Sequence, residues 1–170
     1  MKSTDCLQSK ADMEVVIRKA EKKDAPRIAQ LLETIAELHH QGRPDIYAGG
    51  GAKYDIGAVE SKIADENEII FVAVNEDDFV LGYTMSKIFT TKDEGIVIGH
   101  KKMYIDDVCV DSNYRQYGIG RKLMETTKQK AVDEKCHICE LNVWAFNEGA
   151  VKFYESCGMT KQRIYMEYIL

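Results

Sequence analysis

The chain has 170 residues, 45% of them hydrophobic and 30% charged, with a formal net charge of −5. That length suits one domain with a sizeable core, and the acidic balance argues against a nucleic-acid partner. No apolar run is long enough to span a membrane, no hydrophobic signal region stands near Met1, and the five cysteines form an odd set. A cytoplasmic protein with reduced thiols and no membrane partner is therefore expected.

Residues 1–12 are polar and patternless, and a disordered tail is expected there, leaving 13–170 as the domain. Glu14 to Ala20 has the composition of a first strand. Asp24 is placed to cap a helix that carries Pro26 in its first turn. Ile28, Leu31, Leu32, Ile35 and Leu38 keep helical spacing, which carries that helix to about His40. Gln41 to Asp55 is a loop, with Gly42, Pro44 and the triplet Gly49 to Gly51. No strand precedes the triplet, so it is not a phosphate cradle. A short helix over Asp55 to Glu66 follows. Glu68 to Val74 is a strand, Asn75 to Asp78 a turn, and Phe79 to Phe89 its antiparallel partner, with Gly82 as a candidate bulge. Thr90 to His100 is a loop or hairpin end.

Tyr104 to Val110 is a β-branched and aromatic run broken by Asp106 and Asp107, and it predicts a strand. A polar segment leads into Arg115-Gln116-Tyr117-Gly118-Ile119-Gly120 and then a helix over about Arg121 to Lys135. Ile119, Leu123, Thr127 and Ala131 mark its packed face. Strand, glycine loop and helix start together make an anion site, since the first helical amides lack partners and carry partial positive charge. Glycine at 118 and 120 lets a phosphate approach the backbone. The Walker pattern is absent, and Leu123 stands where the dinucleotide fingerprint needs its third glycine. Cys136 to Val143 is a further strand, Asn147 to Cys157 a short helix, and Ile164 to Leu170 a closing strand. Cys136 and Cys139 form C-x-x-C at a strand start with no second pair, so neither a metal nor a redox role is expected.

Arg115, Gly118 and Gly120 fill the R/Q-x-x-G-x-G/A signature of the GNAT superfamily of N-acetyltransferases. A second stretch also resembles that family, through Leu141, Val143, Asn147, Ala150, Phe153, Tyr154 and Gly158, with Met159 where phenylalanine is usual. The resemblance implies an α/β fold of the α+β type. It is a single-domain acyl-CoA N-acyltransferase fold, a mixed and mostly antiparallel sheet of six to seven strands flanked by about four helices. It also implies acetyl-CoA as acyl donor, no metal, and direct attack by a primary amine. In such a site Val108, Cys109 and Val110 border the pantetheine, and Gln116, Tyr117, Gly118, Ile119 and Gly120 supply amides to the pyrophosphate. Arg115 completes the signature, and Arg121 attracts phosphate or is a solvated helix residue. Asn147 contacts the pantetheine arm or caps its helix, and both can hold. Tyr154 is the general acid or a core tyrosine.

Asp106 and Asp107 stand on a strand, so their side chains are expected on opposite faces. An ammonium acceptor must lose a proton, and a carboxylate can take it. Asp106 falls on the glutamate of polyamine acetyltransferases and is the candidate base, one methylene short and so expected to act through a bridging water, or it is a structural carboxylate hydrogen-bonded to a loop. Cys109 lies in the same strand, but no histidine is placed beside it for a covalent route. Asp45, Asp55, Glu60 and the two strand aspartates suggest a small cationic amine as acceptor. His39 and His40 are expected to be solvated helix-end residues. A protein or peptide N-acetyltransferase and a non-catalytic CoA-binding module are the alternatives, and a homodimer is a candidate assembly.

Overall fold

The structure is a computed structural model and describes residues 13–170; the tail expected over 1–12 lies outside the described residues. The first strand, β1 (Val16–Lys19), leads through a tight turn (Lys22–Asp24) into α1 (Ala25–Gly42). Asp24 stands at the cap position of α1 but does not cap it. Its carboxylate is taken by the Arg18 guanidinium at 2.7 and 2.9 Å and by the Glu21 amide at 2.7 Å. Arg18 also reaches Asp78 at 2.8 Å, tying β1 to the turn between the next two strands. α2 (Ile56–Ala64) begins at Asp55, whose Oδ1 accepts from the Ala58 amide at 2.8 Å.

Three long antiparallel partners follow: β2 (Glu68–Val74), β3 (Val80–Thr90) and β4 (Lys101–Val110). Then come α3 (Ile119–Asp133), β5 (Ile138–Leu141) and α4 (Glu148–Ser156). The sheet order is β1-β2-β3-β4-β5, antiparallel except for the parallel pair β4–β5. α1 and α2 cover one face over Ile28, Leu31, Leu32, Val59, Val72, Tyr83, Met85 and Cys109. α3 covers the other through Ile119 and Leu123 against Ala73 and Leu81. There the buried hydroxyls of Thr84 and Thr127 satisfy one another at 3.0 Å.

This is the mixed α/β architecture expected, with two differences. Five strands are present among the described residues, against six to seven expected, and 164–170 forms no strand. Its apolar composition suits a strand, but a strand needs a neighbour, and the segment pairs with none among the described residues. The first bulge falls at Leu81, beside Gly82, since Ala73 pairs with Gly82 and Val74 with Val80. Gly82 itself is needed for close strand approach: a Cβ there would lie 2.6 Å from the Cys109 carbonyl.

Candidate active site

A second bulge organises the site. On β4, Asp107 pairs with Met85 and Ile105 with Ser86, which leaves Asp106 as the extra residue. Ordinary alternation would put residues 105, 107 and 109 on one face. Instead Ile105 packs with Met124 and Cys157 under α3 and α4, while Cys109 packs with the α1 side. The bulge has switched the face, and both aspartates now serve the α1–α2 side. Asp106 accepts from Lys53 Nζ at 2.8 Å and from Tyr54 Oη at 3.3 Å. Asp107 lies beside Tyr83, and Lys53 is close enough to act on its charge. The expectation of opposite faces is thus corrected.

The same strand has one free edge. β5 pairs only with Lys102–Ile105, so Asp106 to Val110 have no strand on that side among the described residues. Past Val110 the chain turns on Asp111, which is paired with Arg27 and accepts from the Asn113 amide at 2.9 Å. Arg115 Nε donates to the Val110 carbonyl at 3.3 Å, fastening the loop to the strand end. Gln116 and Gly118 both adopt left-handed backbone, φ +71° and +74°, and α3 starts at Ile119. A Cβ on Gly118 would meet nothing within 4 Å, so the loop faces open space there. Gly120 differs: its Cβ would lie 3.0 Å from the Phe153 ring, so this glycine admits α4 against α3. Arg121 reaches the Ser156 carbonyl and hydroxyl, both at 3.2 Å, and so also joins the two helices.

α4 sets the opposite wall. Asn147 Oδ1 accepts from the Ala150 amide at 3.1 Å, so it caps the helix. Tyr154 packs half-buried with Ile105, Met124, Cys157 and Val108, and its hydroxyl has no hydrogen-bond partner among the described residues. Burial, with the charge of Asp107 and the thiols of Cys157 and Cys109 nearby, raises its pKa. A phenol held this way keeps its proton until a strong base develops beside it.

Burial pushes Asp107 from 3.8 to about 6, Lys53 opposing and Asp106 adding to the rise. Burial and Asp107 push the Cys109 thiol up to about 12, so it holds its proton and is a poor nucleophile. The Tyr83 hydroxyl is buried beside Asp107, near enough to act on its charge but short of a well-formed hydrogen bond among the described residues.

The mouth on the α1 side is aromatic. Trp144 Nε1 donates to Tyr47 Oη at 3.1 Å, and the Arg43 guanidinium lies 5.3 Å from the Trp144 ring centre. His39 stacks on Tyr47 at 5.0 Å and His40 Nδ1 donates to the Tyr47 carbonyl at 2.7 Å, so neither is the solvated residue expected. The carboxylates expected to make this mouth negative are spent locally. Asp45 is held by Arg43 at 2.7 Å, Asp55 caps α2, and Glu60 meets Lys22 at 3.2 Å. A separate shallow hollow beside Ala29, Glu33 and Asp55 shares only Tyr54 with this group. Lys53, Tyr54 and Tyr83 were not legible as site residues. They stand outside both motifs, and only the fold brings them to β4.

A mixed sheet with helices on both faces, open between its fourth and fifth strands beside a glycine loop and a helix start, is the architecture of the acyl-CoA N-acyltransferases. The chain belongs to the acetyltransferase (GNAT) family, whose model matches residues 28–159. It is 35% identical over 75 residues to human N-alpha-acetyltransferase 30, covering 42% of this chain and 21% of that protein. It is 33% identical over 58 residues to the pig thialysine N-epsilon-acetyltransferase, 34% of each. The match thus spans about a fifth to a third of these curated relatives' length. Among solved structures, a tetramutant of the BH1408 protein from Bacillus halodurans is 30% identical with a TM-score of 0.87, over 91% of this chain and 99% of that one. Glucosamine-6-phosphate N-acetyltransferase from Arabidopsis thaliana is 20% identical at a TM-score of 0.67, over 92% and 98%, a likeness of fold alone. No described helix is long and apolar enough to cross a membrane.

Proposed function

We propose that this protein is an acetyl-CoA-dependent N-acetyltransferase that acts on a primary amine by direct transfer. The observation that carries the reading is the free edge of β4 at Asp106–Val110, with the open loop at Gly118 at one end and the phenol of Tyr154 across it. The residues fit the cofactor. The strand-free outer edge of Val108 to Val110, where only the Val110 carbonyl is engaged, by Arg115, can hold an extended amide-bearing arm, and the loop amides before α3 can hold a diphosphate. When bound, acetyl-CoA supplies an activated acyl thioester.

The side chains divide the proton work. Tyr154 is the donor to the departing sulfur, its raised pKa keeping the proton in place beforehand. Asp106, the base expected from the sequence, is engaged by Lys53 and Tyr54. We assign the base to Asp107, whose value of about 6 suits proton acceptance near neutrality. Asp106 and Lys53 then position the acceptor side. Cys109, buried and protonated, gives no covalent route.

This assignment fixes a pH dependence. The groups facing Asp107 are Lys53, Asp106, Tyr83, Cys109 and Tyr154. The base must be ionised, so kcat/KM is expected to rise about tenfold per unit below pH 6 and to level off above it. The stability sign is opposite. The folded pKa is raised, so between 3.8 and about 6 the folded chain holds a proton that the unfolded chain releases, and stability falls as pH rises through that window. Asp107→Asn is expected to cut kcat/KM and flatten the profile while Tm at pH 8 holds or rises. A variant that keeps the wild-type profile would move the base elsewhere.

The acceptor we propose is a small cationic amine, on a narrower electrostatic basis than composition suggests. Among the described residues Asp107 forms no ion pair, though Lys53 is near it, and Lys53 is paired with Asp106. The expected advantage of a diamine or lysine-like amine over a neutral amine is therefore about tenfold or less at low salt, shrinking as salt screens it. The rival is a peptide N-terminus, which the short match to N-alpha-acetyltransferase 30 favours. Thiol release from acetyl-CoA with diamines, amino acids, aminoglycosides and short peptides separates the two. No release with any amine, despite cofactor binding, would leave a CoA-binding module.

A further inference from the structure

We infer that Lys53 is an internal acceptor: its ammonium stands in the place of a substrate amine, and with acetyl-CoA bound and no other amine present its Nζ is itself acetylated. The inference rests on the acetyltransferase reading of this site. Lys53 Nζ lies 2.8 Å from Asp106 Oδ2, and among the described residues it is the lysine that pairs with a carboxylate on the free edge of β4. Its charge also reaches His39 on α1 and Asp107 on β4, and Asp107 in turn acts on the Tyr154 phenol. An amine, the proposed base and the proposed acid thus stand in the order that a transfer needs.

The other lysine near this group is committed elsewhere. Lys62 sits on α2, 18% exposed and bonded to Glu68 at 2.6 Å. Lys53 sits on no helix or strand. It belongs to the connection between α1 and α2, just after Gly49, Gly50, Gly51 and Ala52. Gly50 is left-handed at φ +77°, and a Cβ on Gly50 or Gly51 would meet nothing within 4 Å. The backbone leading to Lys53 is therefore unpacked at these glycines, and a small shift there moves Nζ along β4 without breaking a packed contact.

Burial works against the Lys53 charge, but Asp106 outweighs it and holds the pKa above its ordinary value. The amine needs a base, and carboxylates lie beside it. In the step, the ammonium gives one proton to Asp107, and the freed electron pair forms the N–C bond to the acetyl carbon. The C–S bond breaks, and the sulfur keeps its electron pair and takes the Tyr154 proton. The second proton lost by nitrogen restores Tyr154, and Asp107 returns the first to water. The products are acetylated Lys53, the CoA thiol and one proton. Acetylation removes the charge that holds Asp106, so a cationic acceptor then finds that carboxylate free.

The test uses the full chain with acetyl-CoA and no amine in the buffer. Peptide mapping by mass spectrometry is expected to find one acetyl group on Lys53, at a rate independent of protein concentration. Lys22, Lys152 and Lys161 are 77%, 77% and 69% exposed against 44% for Lys53, so simple chemical acetylation would favour those three. Lys53 is instead expected to react at least about tenfold faster than they do, because its amine is already held at the site. Excess diamine and Tyr154→Phe should each slow the labelling. Lys53→Gln, which imitates the acetylated side chain, is expected to bind a diamine about two- to fivefold more tightly by calorimetry without acetyl-CoA. An unmodified Lys53 in a chain that acetylates added amines would overturn the inference and leave the acetyltransferase reading standing. No transfer to any amine, internal or added, would remove both. Labelling that speeds up with protein concentration, labelling indifferent to diamine or to Tyr154→Phe, or unchanged diamine affinity in Lys53→Gln would each also overturn the inference.

Discussion

Tyr154→Phe is expected to lower kcat by a factor on the order of 10²–10⁴ while acetyl-CoA affinity stays near wild type. The substitution removes one hydroxyl and keeps the ring that packs with Ile105, Met124 and Cys157. That hydroxyl has no hydrogen-bond partner among the described residues, so its loss strands no buried group and the fold should hold. On the proposed reading, its raised pKa keeps one proton in place for a sulfur leaving beside β4. The effect should therefore appear in kcat and not in cofactor binding, and an activated thioester with a better leaving group should recover part of the loss. Tyr83→Phe is the control, since it removes a second buried phenol near Asp107. Wild-type turnover of Tyr154→Phe at saturating substrates would make the tyrosine structural.

The second large effect concerns the loop. Gly118→Asp is expected to weaken acetyl-CoA binding by about 10- to 150-fold, the equivalent of one charge-assisted hydrogen bond worth about 1.5–3 kcal/mol. Gly118 is left-handed at φ +74°, and a side chain there would project into open space in front of α3. Aspartate tolerates left-handed backbone better than most residues, so the fold is retained while a negative charge enters the anion site. Gly120 answers a different demand. A Cβ there would press on Phe153 at 3.0 Å, so Gly120→Ala should disturb α4 and lower Tm before it touches the cofactor. Calorimetry on the two variants separates the roles. Unchanged affinity in a folded Gly118→Asp would remove this loop from the cofactor site.

Much of this architecture is local chemistry and can be read along the chain. Helical spacing from Ile28 to Leu38 placed α1, though α1 begins without the cap expected of Asp24, which Arg18 claims from another element. The glycine loop, the α3 face and the Asn147 cap each depend on residues within a few positions of one another, so spacing alone located them. The closing strand was legible as composition and absent as structure, because strand formation depends on a neighbour that spacing cannot supply.

The sequence by itself determined the element order, the family signatures around Gly118 and Tyr154, and a phenol and carboxylates in reach of one strand. Only the tertiary structure decided which carboxylate is free. The bulge at Asp106 turns both aspartates to the α1–α2 side, and Lys53, distant along the chain, pairs with one and leaves the other buried and easily protonated. The reason is physical: alternation along a strand can be read from spacing, but a bulge is set by pairing with the neighbouring strand, and a pKa by everything packed around the group.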